Sequence, residues 1–135
     1  MIYKRFRWLS FCLFWLVLTA INLLAINTVD TAMLTKPAIS PDKIAFVYAG
    51  NLWVADLNGK NPRQLTVEAE VVGLPVFSPD GKWLAFSAQR NGNVDVYLIP
   101  AEGGQSRRLT WHPGADLVQD FTPDGLSIFY TSPSK

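Results

Sequence analysis

The chain has 135 residues, room for one modest domain. Twelve Lys and Arg stand against eleven Asp and Glu, so it lacks the clustered basic excess of a nucleic-acid binder. A single cysteine excludes a disulfide framework and a cysteine-rich metal site.

Lys4, Arg5 and Arg7 form a basic head, and from Trp8 to Ile26 no residue is charged. This is the pattern of a signal peptide or a retained membrane anchor over residues 1–27, with residues 8–26 as a hydrophobic helix. The head would stay cytoplasmic and send the remainder across the membrane, to the periplasm or cell envelope. A buried core helix is the alternative, and the basic head argues against it. Beyond residue 27, nine Lys and Arg remain against eleven Asp and Glu, with no cysteine. Residues 28–36 read as a linker.

From residue 37 onward the chain repeats itself. "SPDKIAF" at Ser40–Phe46, "SPDGKWLAF" at Ser78–Phe86 and "TPDGLSIFY" at Thr122–Tyr130 each place a turn before an alternating apolar run. Proline presets φ at the second turn position, and glycine accepts a left-handed conformation. The first copy lacks the glycine and reads as one residue shorter. "NLWVADLNG" at Asn51–Gly59 matches "DVYLIPAEGG" at Asp95–Gly104, and "RQLT" at Arg63–Thr66 matches "RRLT" at Arg107–Thr110, both 44 residues apart. Such a period is that of β-propeller blades.

The second unit supplies four short strands: Leu74–Phe77, Lys82–Ser87, Asp95–Ile99 and one beginning at Arg107. Asn91-Gly92 marks the central hairpin. Trp83 and Ala85 fall on one face and Leu84 and Phe86 on the other. Apolar residues on both faces fit sheets stacked around an axis. The expected architecture is all-β: an incomplete propeller of about two four-stranded blades plus the start of a third, over residues 37–135.

The run "YLIPAEGGQSRRLTWHPGADLVQDFTPDG", Tyr97–Gly125, resembles the amino-terminal propeller of tricorn protease homologues, and the similarity extends over about Pro37 to Lys135. The "SPDG" turn with its following strand is shared more widely, with TolB-like propellers and prolyl oligopeptidase relatives. The resemblance implies a large serine peptidase in which two propellers precede a PDZ domain and an S41-type catalytic domain. Its propellers would pass or screen peptides, and the partners would be a peptide or protein substrate and the remaining domains of a longer chain. No catalytic residue carries over to this stretch. A non-enzymatic, TolB-like binding propeller is the alternative.

Several residues invite chemistry. His112, the only histidine, would be a general base if Asp116 oriented it toward a serine. No G-x-S-x-G run accompanies it, so a loop histidine is the favoured reading. Asp42, Asp80 and Asp124 recur at one turn position and read as backbone-capping carboxylates rather than a cation site. Asp56 and Asp95 read as solvated strand edges. Trp53, Trp83, Trp111 and Tyr97 would line a peptide groove or pack between blades, and packing is favoured. Arg63 and Arg108, ahead of the "LT" pairs, would hold a peptide carboxylate or flank a strand. "AEGGQS" lacks the lysine of a phosphate loop. The expectation is a segment with no catalytic, cofactor or metal residue.

Overall fold

The computed structural model describes residues 34–133. The hydrophobic helix expected at residues 8–26 lies outside the described residues.

Among the described residues, ten strands form three antiparallel sheets. The first contains β1 (Thr35–Ile39), β2 (Lys43–Tyr48), β3 (Asn51–Asp56) and β4 (Arg63–Gln64) in sequential order. The second repeats that order with β5 (Val71–Phe77), β6 (Trp83–Arg90), β7 (Asn93–Pro100) and β8 (Arg107–Arg108). The third is the hairpin β9 (Leu117–Phe121) and β10 (Ile128–Thr131). Strand β1 begins at Thr35, inside the stretch read as linker.

Register makes the repeat exact in kind. Phe46 faces Trp53 across β2–β3, and Phe86 faces Tyr97 across β6–β7. Trp53 then pairs with Gln64, and Tyr97 with Arg108. At each outer strand a threonine hydroxyl receives a backbone N–H: Thr66 from Leu52 at 2.9 Å, Thr110 from Val96 at 3.0 Å. These bonds continue the sheet after a ladder of only two residues.

The turns repeat as well. The Ser78 hydroxyl donates to Asp80 at 2.6 Å and accepts the Trp83 N–H at 3.0 Å, while Gly81 N–H reaches Ser78 O at 2.8 Å. Thr122, Asp124, Gly125 and Ser127 reproduce that set. Gly81 and Gly125 sit at φ +70° and +72°, where a side chain is disfavoured. In the first copy Ser40 N–H reaches Lys43 O at 2.8 Å, closing in four residues what Ser78 to Trp83 closes in six. That turn is thus two residues shorter than its relatives. The sequence reading of one overlooked that Lys43 takes the place of Trp83 in the turn.

Strand alternation distributes the apolar side chains over two seams. Between the first two sheets lie Ala45, Val47 and Leu52 from one side and Leu84, Phe86, Tyr97 and Ile99 from the other. Between the second and third lie Ala85 and Val96 against Val118 and Phe121. The second sheet is therefore buried on both faces, and Phe86, Leu84 and Ile99 are almost wholly removed from solvent. Each such side chain contributes roughly 1.5–3 kcal/mol on burial. The Ser87 hydroxyl adds a polar tie by accepting the Val118 N–H at 2.8 Å.

Candidate functional site

Because neighbouring strands are antiparallel, the connections alternate between two rims. The Ser-Pro-Asp turns and the β3–β4 and β7–β8 loops share one rim. The tight β2–β3 and β6–β7 hairpins, with the loops leading to the next sheet, share the other.

The turn rim carries charge across the first seam. Glu102, in the loop after β7, meets Lys43 Nζ at 2.8 Å and Arg63 Nη2 at 3.2 Å, both from the first sheet. Arg63 also donates to the Glu102 carbonyl at 2.6 Å, and Lys43 reaches Asp42 at 2.7 Å. The Lys43 ammonium, then the Arg63 guanidinium, hold the Glu102 carboxyl below its ordinary pKa. Asp42, then Glu102, push Lys43 up. Arg63 is thus committed to a neighbouring blade. Asp80 and Asp124 accept the Lys82 and Leu126 backbone N–H groups at 3.1 and 3.0 Å, as capping carboxylates do, whereas among the described residues Asp42 accepts only the Ser40 hydroxyl at 3.0 Å and the Lys43 ammonium. Hydroxyl bonds from Ser78 and Thr122 are the chief cause holding Asp80 and Asp124 below the usual carboxylate range. Among the described residues no group of three or more His, Cys, Asp or Glu is placed to hold a metal ion.

On the hairpin rim, His112 is exposed. Its Nδ1 accepts the Gly114 N–H at 3.0 Å and lies 3.2 Å from Ser132 Oγ. No hydrogen bond joins His112 to the Asp116 side chain among the described residues, and Asp116 is fully buried. Among the described residues the imidazole therefore has a hydroxyl neighbour but no orienting carboxylate, and its Nδ1 is already occupied by a turn. Ser132 was not singled out from the sequence, and nothing in "TSPSK" marks it.

Asp95 corrects the sequence reading most sharply. It is fully buried, not a solvated edge. Its Oδ2 lies 2.6 Å from Arg108 Nη2, a close ion pair although the N–H is not well aimed, and its Oδ1 accepts from Asn93 at 3.2 Å. Asn93 also donates to the His112 carbonyl at 2.6 Å, and Arg108 donates to Thr110 O at 2.8 Å. Arg108 is therefore engaged internally. Its positional counterpart in the first sheet is Gln64, which bonds Thr66 O at 2.6 Å; Arg63 corresponds to Arg107.

The four aromatics do not converge. Trp53 packs edge-on to Tyr48 at 6.0 Å, and Tyr97 stacks on Phe86 at 5.7 Å with the Arg90 guanidinium 4.7 Å away. Trp83 and Trp111 are 42% and 68% exposed, on opposite rims. Trp111 is stacked by Arg108 at 5.8 Å.

Four-stranded sheets stacked face to face, with registers that recur after 40 to 44 residues, define a β-propeller, of which the described residues supply two blades and the first two strands of a third. Residues 31–135 match the model of the tricorn protease N-terminal beta propeller domain, and the chain belongs to that family. A tricorn protease homologue of Streptomyces coelicolor is 39% identical over 84 residues, 62% of this chain and 7% of that protein. The crystal structure of the tricorn protease superposes with a TM-score of 0.61 at 29% identity, over 69% of this chain and 10% of that one. TolB from Acinetobacter baumannii superposes at 0.64 with 32% identity, over 73% and 26%. The chain thus spans a small part of each.

Proposed function

We propose that this chain is the opening propeller segment of a tricorn-like serine peptidase, exported through residues 1–27. In that reading it contributes substrate gating or protein contact and no catalytic atom. The observation that carries the proposal is the family match over residues 31–135, on a chain whose sheets stack as propeller blades. The chemistry of the segment supports a non-catalytic role, because His112 lacks a carboxylate partner among the described residues and the recurrent aspartates are consumed in turns. Peptide hydrolysis, by acyl transfer to a serine and release by water, would be performed by other domains.

The superposition on TolB favours a second reading, a non-enzymatic propeller that docks a protein partner on one rim. A fluorophosphonate probe on the product of the whole gene separates the two. Covalent labelling at a serine outside residues 1–135, with loss of peptide cleavage, supports the peptidase. No labelling and no cleavage supports the binding propeller. Export is tested separately by fusing residues 1–36 to a reporter enzyme active only outside the cytoplasm; a silent reporter, soluble inside the cell, contradicts it.

A further inference from the structure

Asp116 stands at the entrance of β9, in the seam between the second and third blades. It is fully buried, and neither carboxylate oxygen has a hydrogen-bond partner among the described residues. No ion pair reaches it there either. A carboxylate removed from water without a partner is costly, so its presence calls for a reason.

The molecule contains its own control. Asp116 N–H donates to Val94 O at 2.9 Å, and Val71 N–H donates to Gly50 O at 2.8 Å. Val94 and Gly50 are 44 residues apart, so Val71 is the counterpart of Asp116 in the first seam. There the position holds a buried apolar side chain. The backbone at this point therefore needs no carboxylate.

The other fully buried carboxylate shows how this fold treats such a charge. Asp95 is met by the Arg108 guanidinium at 2.6 Å. Their counterparts in the first blade, by register, are the uncharged Asn51 and Gln64. Acid and base appear together in one blade and are absent together from the other. Asp116 likewise adds a charge where the first blade has none, here in place of an apolar residue, but the described residues provide no base to accompany it.

We infer that Asp116 is the socket for an organic cation, a guanidinium or ammonium group that enters the hairpin-rim end of the second seam. Two free oxygens suit a bidentate guanidinium. Thr131 pairs with Leu117, so Ser132 lies across from Asp116, and a cation reaches the buried oxygens when this end of the seam opens beside β10. The cation has two possible sources with one chemistry: a basic side chain from the polypeptide that completes the third blade, or a basic side chain of a bound peptide. The second source rests on the proposed function; the socket does not.

The test is urea unfolding of the 135-residue chain and its Asp116→Val variant, with and without arginine amide, and with glycinamide matched in ionic strength. In the unmodified chain, arginine amide at about ten times its dissociation constant should raise the folding equilibrium constant roughly tenfold. Asp116→Val, which installs the first-seam residue, should unfold at a higher urea midpoint without ligand and show no arginine-specific response. An equal response in both proteins, or none in either, overturns the inference. The same pair made in the product of the whole gene then separates the sources. If Asp116→Val lowers the midpoint there and arginine amide has no effect, the cation is intrachain. If the arginine response persists and depends on Asp116, it arrives with a ligand.

Discussion

Arg63 of the first blade donates to the backbone carbonyl of Glu102 in the second at 2.6 Å, and its Nη2 also donates to the Glu102 carboxylate at 3.2 Å. The blades are therefore joined by a buried apolar seam and, on the turn rim, by a two-point polar clasp. The carbonyl contact survives loss of the carboxylate charge, whereas the Lys43 contact does not. Glu102→Gln should lower the urea midpoint modestly and reduce its salt dependence. Arg63→Ala should lower it further, because it also removes the carbonyl bond. Equal effects would show that the carbonyl contact contributes nothing.

Acid should loosen the turn rim. Asp42, Asp80, Glu102 and Asp124 all have folded pKa values below their ordinary ones, held down chiefly by Lys43, Ser78, Lys43 and Thr122 respectively. A carboxylate with a depressed folded pKa stabilises the fold fully above its unfolded value. That contribution is lost as pH falls through the folded value. The urea midpoint should hold from pH 7 to about 5 and fall below about 4.5, the ordinary glutamate value. Asp80→Asn with Asp124→Asn should flatten the fall; an unchanged pH profile would remove the turns from the explanation.

The turn glycines give a prediction of known size. Gly81 sits at φ +70°, and an added Cβ would lie 3.5 Å from the nearest atom, ordinary contact distance. The penalty of Gly81→Ala is then conformational, on the order of 1–2 kcal/mol. Gly114 differs, because its Cβ would lie 2.8 Å from Pro133 Cγ and 3.1 Å from His112 Nδ1. Gly114→Ala should displace the His112 loop, visible as a changed His112 ring resonance. Gly81→Ala should leave that resonance alone.

Removing Arg108 leaves Asp95 buried and unpaired. Because Arg108 is 31% exposed, the loss for Arg108→Ala should be about 2 kcal/mol, below the range for a wholly buried pair. Combining Asp95→Asn with Arg108→Gln, the residues of the first blade, should recover most of it in urea unfolding. Failure to recover would mean that the pair is set by something other than its charges.

Repeating features were legible in the sequence and solitary ones were not. The Asn91-Gly92 hairpin appears with φ +53° and +81°, as that dipeptide favours. Leu84 and Phe86 face one seam and Ala85 the other, as alternation requires. The Ser-Pro-Asp-Gly turns follow from local hydrogen bonding. Asp95 reads as a strand edge because the polar Asn91-Gly92-Asn93 stretch precedes it, whereas β7 already begins at Asn93, and nothing local shows that Arg108, on the next strand, covers it. The orphaned carboxylate of Asp116 was equally hidden, since burial in a seam depends on a neighbouring blade. Pairing Arg63 with Arg108 ignored register, which sets Gln64 against Trp53 and Arg108 against Tyr97.

The stacking of blades in this register is tested most directly by a cross-link between two repeated turns. A Cβ at Gly81 would stand 3.5 Å from the Ser40 Cβ, within disulfide reach, although the two residues belong to different blades. Ser40→Cys and Gly81→Cys together, in a chain carrying Cys12→Ser, should close an intrachain disulfide under mild oxidation. It should appear as a faster band on a non-reducing gel, absent from either single cysteine variant and abolished by reductant. A folded double variant that keeps both thiols free would contradict the stacking of the first two blades.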